Sequence, residues 1–203
     1  MIWTEKIIIK HNKSLQEHDH VYVITNFCRS EPSAAESTAV KNILNNYLDG
    51  EYSFRRSLHG RPYLVSDSKD VPLFISIAHS KNVLALAISL DEAIGIDVEV
   101  PKPRSHTNLI AKRYFGHGHE GLSPYSFYHH WCAREAFIKA IDGRLFRDLS
   151  AIKTEENEHY LIGTKSLDHC VTFFEPAQHY IGALCRHMNS KKGLLVRSSH
   201  PQI

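Results

Sequence analysis

"IGIDVEV", residues 94–100, sets two carboxylates two positions apart in an otherwise apolar run. Strand side chains alternate between faces, so Asp97 and Glu99 point one way while Ile96, Val98 and Val100 point the other. Two ionised carboxylates side by side repel. Either water solvates them on a half-exposed strand, or a cation or a base lies between them.

The flanking sequence frames this strand. "LFISIAHSKNVLALAIS" (73–89) is two apolar runs around "HSKN", which predicts a hairpin with residues 94–100 as the next strand. Upstream, Lys6 to Ile9 and Val21 to Thr25 read as strands, and "HGRPYLV" (59–65) as a turn entering an extended segment. "SAAESTAVKNILNNYLDG" (33–50) reads as a helix, with Ser33 and Glu36 at capping-box spacing, Val40, Ile43, Leu44 and Tyr47 on one face, and a stop at Gly50.

Downstream, "PKPRS" (101–105) is the clearest break, because two prolines within three residues sustain neither ladder nor helix. The junction between an N-terminal half (1–100) and a C-terminal half (101–203) is expected there. "TNLIAKRYF" (107–115) and "PYSFYHHWCAREAFIKAIDG" (124–143) follow as helices, the second ending at Gly143. "HYLIG", "HCVTFFE" and "HYIGALC" read as closing strands, and the tail from Ser190 as loosely held. Each half shows a helix and then an apolar hairpin, an α+β plan with a hint of pseudo-duplication.

Composition excludes several classes. With 203 residues, 42% hydrophobic and 23% charged, the chain is an ordinary globular one long enough for a real core. Its net charge of +2 gives no general attraction to nucleic acid or an anionic membrane. Cys28, Cys132, Cys170 and Cys185 are scattered, which argues against a zinc knuckle or a disulfide framework and fits a reducing compartment. No apolar run reaches the roughly 18 residues of a membrane span, and "MIWTEKIIIKHN" lacks a cationic leader with a long apolar core. A cytoplasmic monomer is expected. The 15 histidines include "HGHE" (117–120) and His129–His130, but without the helical H-E-x-x-H register they read as polar surface rather than a metal site.

On the second helix Trp131, Glu135 and Lys139 are spaced four apart and share a face. Alone, Glu135 and Lys139 read as a surface ion pair worth about 0.2–0.5 kcal/mol. Together with "GRPYL" (60–64), "AHS" (78–80) and the D-x-E strand, they complete an ordered series: G-[KR]-P-Y, H-S, G-I-D-x-E, then W-x-x-[KR]-E-x-x-x-K. On these motifs, from about Gly60 to Lys139, the chain resembles the 4′-phosphopantetheinyl transferases, in particular the two-lobed type that activates surfactin synthetase.

The resemblance implies a pseudo-duplicated α+β fold with the active site between two lobes. It implies Mg²⁺-dependent transfer of 4′-phosphopantetheine from coenzyme A to a serine of an acyl or peptidyl carrier protein, releasing 3′,5′-ADP. Carried over residue by residue, Asp97, Glu99 and Glu135 would hold Mg²⁺, a hard cation that takes oxygen ligands. Lys139 would face the phosphates, and Glu135 rather than Glu99 would take the serine proton. Arg61, His79, Ser80 and Arg134 would bind coenzyme A, Arg61 and His79 at its 3′-phosphate end.

Departures from the family pattern bear on coenzyme A binding. Ala78 replaces a usual hydroxyl residue, with Ser76 or Ser80 as substitutes, and Arg134 stands where lysine is commoner. The first helix offers only Lys41, with Arg29 ahead of it, and Glu120 falls one residue late. They keep open a catalytically weakened coenzyme A or carrier-binding module, and the acidic cluster keeps open a metal phosphohydrolase. An acidic carrier would suit Lys112, Arg113, Arg144 and Arg147 beside "RYF" and "LFRDL".

Overall fold

A computed structural model describes residues 8–9, 13–27, 32–67, 69–116, 119, 121–157, 159–190 and 192–199. Lys6, Ile7, Cys28, Arg29, His117 and Glu120 lie outside the described residues, as do the side chains of Ser33 and Glu36. In chain order the N-terminal half runs β1 (Ile8–Ile9), α1 (Lys13–Glu17), β2 (His18–Ile24), α2 (Pro32–Leu44), β3 (Leu48–Asp49), β4 (Ser53–Arg56), β5 (Pro62–Ser66), β6 (Lys69–Asp70), β7 (Phe74–Ser80), β8 (Val83–Ser89) and β9 (Gly95–Glu99). The C-terminal half runs α3 (Thr107–Tyr114), α4 (Pro124–Ala140), α5 (Leu145–Asp148), β10 (Lys153–Glu156), β11 (Tyr160–Gly163), β12 (His169–Phe174), β13 (Ile181–His187) and β14 (Gly193–Ser199).

The expected hairpin is β7–β8, paired from Phe74–Ser89 to Ser80–Val83. It lies in a four-stranded sheet of order β14-β2-β8-β7. All seven residues of β8 are buried, because both faces are covered. Leu84, Leu86 and Ile88 pack with Val40 and Leu44 of α2, while Val83, Ala85 and Ala87 pack on Ile96 and Val98 of β9. The alanines on the second face leave room for β9 to lie close.

The halves interlace rather than divide at residue 100. β9 is hydrogen-bonded to β13, at the edge of a five-stranded sheet of order β10-β11-β12-β13-β9. It is therefore the edge strand of the C-terminal sheet and not the last strand of the N-terminal one. The tail read as loosely held does the reverse: β14 pairs in parallel with β2 from Gly193–His18 to Ser199–Ile24 and closes the first sheet's edge. The two sheets differ in strand number and order.

α4 positions the site. Ser123 caps its start, its hydroxyl oxygen accepting from the Ser126 amide at 3.1 Å, with Pro124 at the first helical position. Its end is closed by the Gly143 amide donating to the Ile138 carbonyl at 2.8 Å, after Asp142 turns into the left-handed region at φ 52°. Between these caps Phe127, Cys132, Ala136 and Phe137 are buried in one cluster with β11, β12 and β13 residues. Among the described residues no helix is long and apolar enough to cross a membrane.

A buried polar network ties α1, β2 and the segment after α2 together. His20 has no exposed surface; its Nδ1 lies 2.6 Å from the Tyr47 hydroxyl and its Nε2 3.0 Å from the Ser14 hydroxyl. Burial first, then the charge of Arg197, lowers its pKa to about 4. Burial likewise lowers His130 to about 3. An unfolded histidine titrates near 6.5, so between about 6.5 and 4 the unfolded chain binds more protons than the folded one. This stability is complete above about pH 6.5 and is lost as the pH falls towards 4. Thermal melting should show a lower midpoint at pH 5 than at pH 7.5, and His20→Gln should shrink that drop; an equal drop in both proteins would count against the assignment.

Candidate active site

Alternation along β9 does what its sequence requires. Ile96 and Val98 are buried against the first sheet, and the odd-numbered residues face α4. Gly95 is the contact point: a Cβ there would stand 1.9 Å from the Ala136 carbonyl oxygen and 2.6 Å from the Ala140 amide nitrogen. Only glycine permits this approach, and it brings Asp97 alongside Glu135 and Lys139, which project from α4 on one face.

Asp97 is not on a solvated face; it is 5% exposed. Its Oδ1 accepts from the Lys139 ammonium at 2.8 Å, and that ammonium also donates to the Ile96 carbonyl at 3.0 Å. Asp97 Oδ2 is buried without a hydrogen-bond partner. Glu99 Oε2 accepts from the Ser80 hydroxyl at 2.9 Å. Burial raises the Glu99 pKa, with Asp97 adding to the rise and Ser80 opposing it. Burial, then the Asp97 carboxylate, pushes Glu135 up to about 8 against the pull of Lys139, while Trp131 offers its indole N–H to the carboxylate. For Lys139, burial acts downward but is outweighed by Asp97 and Glu135, so its pKa is raised.

These groups form one wall of a cleft of about 440 Å³. Residues 56–61 and strand β7 line the rest of it, with Arg56, His59, Arg61 and His79 beside Ser76 and Ala78. Arg61, His79, Asp97, Glu99, Glu135 and Lys139 line one cavity.

Two expected coenzyme A ligands do not join them. Ser80 gives its hydroxyl hydrogen to Glu99 and does not line the cleft. Arg134 is 1% exposed in the core of the C-terminal half, its guanidinium 4.3 Å from the Phe115 ring centroid and donating to the His130 carbonyl and the Tyr160 hydroxyl. Neighbours on a helix are turned by about 100°, so Arg134 cannot share the face of Glu135. Of the proposed substitutes for Ala78, Ser80 is engaged with Glu99, whereas the Ser76 hydroxyl oxygen accepts from the Ile96 amide at 3.1 Å and can still donate its own hydrogen. Ser57, His59 and Asp142, which flank the cleft, went unread because their contacts span 83 to 85 residues.

Among the described residues no three His, Cys, Asp or Glu side chains stand close enough, as placed, to grip a metal ion. The donor chemistry nevertheless fits a hard cation. Three carboxylates supply only oxygen, one of those oxygens is buried and unpartnered, and the pKa values of Glu99 and Glu135 are raised in part by negative neighbours.

Residues 93–185, the stretch holding Asp97, Glu99, Glu135 and Lys139, match the family described as the 4'-phosphopantetheinyl transferase superfamily. The relatives agree. The chain is 30% identical over 130 residues to a Synechocystis protein provisionally named a 4'-phosphopantetheinyl transferase, covering 59% of this chain and 52% of that one. It is 30% identical over 112 residues to the 4'-phosphopantetheinyl transferase HetI of Nostoc, covering 50% and 47%. With AcpT of Salmonella typhi, also a 4'-phosphopantetheinyl transferase by name, it shares 27% over 124 residues, covering 54% and 65%. The aligned region thus spans about half the length of the first two relatives.

The contact at Gly95 gives a direct test. Gly95→Ala forces a methyl into backbone on α4, where no rotamer relieves it. A loss of about 3 kcal/mol or more in urea unfolding is expected; a variant as stable as the parent would contradict the close approach.

Proposed function

We propose that this protein transfers the 4′-phosphopantetheine group of coenzyme A to a serine of an acyl or peptidyl carrier protein, releasing 3′,5′-ADP. The observation that carries this reading is the meeting, in one cleft, of three carboxylates and a lysine on one wall with Arg61 and His79 on the other. An arginine fork and a histidine suit the 3′-phosphate end of coenzyme A. Lys139 directs its ammonium at the pyrophosphate, and Glu135 takes the serine proton directly or through one water. The serine oxygen forms a bond to the β-phosphorus as the bond to the bridging oxygen breaks, and 3′,5′-ADP leaves with that electron pair.

Asp97, Glu99 and Glu135 would hold Mg²⁺. When bound, the ion supplies positive charge that draws electrons from the pyrophosphate and stabilises the leaving group. The carrier would dock beside the cleft, with the exposed Leu109 close in sequence to Lys112 and Arg113, and the exposed Phe146 close to Arg144, as its contacts. Apolar residues ringed by basic ones suit an acidic helical partner. A second reading, a coenzyme A or carrier-binding module without turnover, draws on Ala78, since the Ser80 hydroxyl hydrogen is committed to Glu99.

Intact-mass measurement of several apo carrier proteins, incubated with the protein, coenzyme A and Mg²⁺, separates the two. Transfer predicts a gain of one phosphopantetheine that disappears when the metal is chelated. Coenzyme A binding without any mass gain on any carrier would favour the binding module. Asp97→Ala and Glu135→Ala should each lose roughly 100-fold or more in transfer rate, with unchanged circular dichroism; full activity in either folded variant would remove that residue from the reaction.

A further inference from the structure

The loop carrying Arg61 is tied to the end of α4 by three hydrogen bonds. The Ser57 hydroxyl donates to Asp142 Oδ1 at 2.6 Å, the His59 Nδ1–H to the Asp142 carbonyl at 2.5 Å, and the Arg61 guanidinium to the Ala140 carbonyl at 3.1 Å. A carbonyl only accepts, so the His59 proton must sit on Nδ1. The Ala140 carbonyl belongs to the last turn of α4, where carbonyls lack partners within the helix and a cation is favoured.

Ser57 is the hub of this contact. Besides donating to Asp142, its oxygen accepts from the His59 amide at 3.2 Å and the Arg61 amide at 3.0 Å. One hydroxyl thus uses its single hydrogen towards the helix and both lone pairs towards the loop. Asp142 holds a left-handed backbone conformation, φ 52°, at a position where glycine is the usual residue. An aspartate there supplies what glycine lacks, an acceptor aimed at the loop. The contact joins the wall carrying Arg56, His59 and Arg61 to the helix that presents Glu135 and Lys139.

We infer that Ser57 and Asp142 are positioning residues, a clasp that sets the distance between the anion-binding wall and the carboxylate wall and so governs how tightly the nucleotide end of coenzyme A is held. This rests on the proposed function for the identity of the ligand. Neither residue needs to touch it. Asp142 orients Ser57, Ser57 orients the Arg61 backbone, and Arg61 meets the phosphate.

The test uses Ser57→Ala, Ser57→Thr and Asp142→Gly in the full chain. Asp142→Gly removes the carboxylate while easing the backbone, so it keeps or raises the melting temperature. Calorimetric titration with 3′,5′-ADP measures the grip directly, without turnover. Ser57→Ala and Asp142→Gly should weaken 3′,5′-ADP about tenfold, with Ser57→Thr near the parent, and both weakened variants should bind 5′-AMP, which lacks the 3′-phosphate, as the parent does. In transfer assays the same pair should raise KM for coenzyme A about tenfold and change kcat less than threefold. Parent-like 3′,5′-ADP binding in folded Ser57→Ala and Asp142→Gly would overturn the clasp. A parent that binds neither 3′,5′-ADP nor coenzyme A would instead overturn the reading of the cleft.

Discussion

The arrangement depends on one packing constraint, the contact of the β9 backbone with α4 at Gly95. Ala136 and Ala140 face the strand with little side chain of their own, and both are buried. Two residues along the strand, Asp97 then reaches Lys139, one position along α4 from Ala140. The other face of β9 is equally committed, since Ile96 and Val98 fill the surface left by the alanines of β8. β9 is clamped from both sides, so its carboxylates are placed by backbone packing rather than by their own rotamers.

That clamping has an electrostatic consequence. A buried carboxylate is costly unless paired, and Lys139 supplies Asp97 with a partner at 2.8 Å. Glu99 and Glu135 have no such ammonium of their own among the described contacts, and both are raised in pKa. Three carboxylates against one ammonium would leave two negative charges if all were ionised, the charge that one divalent cation carries. Without such a cation, burial first and the neighbouring carboxylates second favour the protonated forms of Glu99 and Glu135. Of water, a cation or a base, it is a base that meets Asp97, because Lys139 neutralises that member of the cluster.

What could be read from the sequence follows the range of the rules involved. The facing of Asp97 and Glu99, the β7–β8 hairpin and the shared face of Glu135 and Lys139 are set by periods of two and 3.6 residues, so they are visible in short stretches. Asp97 with Glu99, and Glu135 with Lys139, reach the cleft as pairs for that reason. Strand partnership is different. Whether β9 pairs with β8 or β13 depends on which sheet offers an open edge, and the alternation of 94–100 is the same in either case. β14 escaped for a similar reason: "GLLVRSS" has modest apolar content, and its place comes from the exposed edge of β2, about 175 residues earlier by sequence separation. Arg134 is carried over from the motif W-x-x-[KR]-E, and the helical rotation that separates it from Glu135 turns it into the core of the C-terminal half instead.

The missing hydroxyl at position 78 shows how the two walls of the cleft are related. The inward residues of β7 serve β9 rather than a ligand: Ser76 takes the Ile96 amide, Ala78 packs in the interface and Ser80 holds Glu99. The side chains suited to an anion are His79 and, on the loop before β5, His59 and Arg61. That loop connects β4 and β5 of a three-stranded sheet separate from the β7 sheet, so its own sheet does not fix its distance from the carboxylates. The end of α4 does, through Asp142 and the Ala140 carbonyl. Both walls are thus referenced to one helix: the carboxylate wall through Gly95 against Ala136, and the cationic wall through Ser57 against Asp142. A displacement of α4 would move both walls together, which preserves their spacing where two independent supports would not.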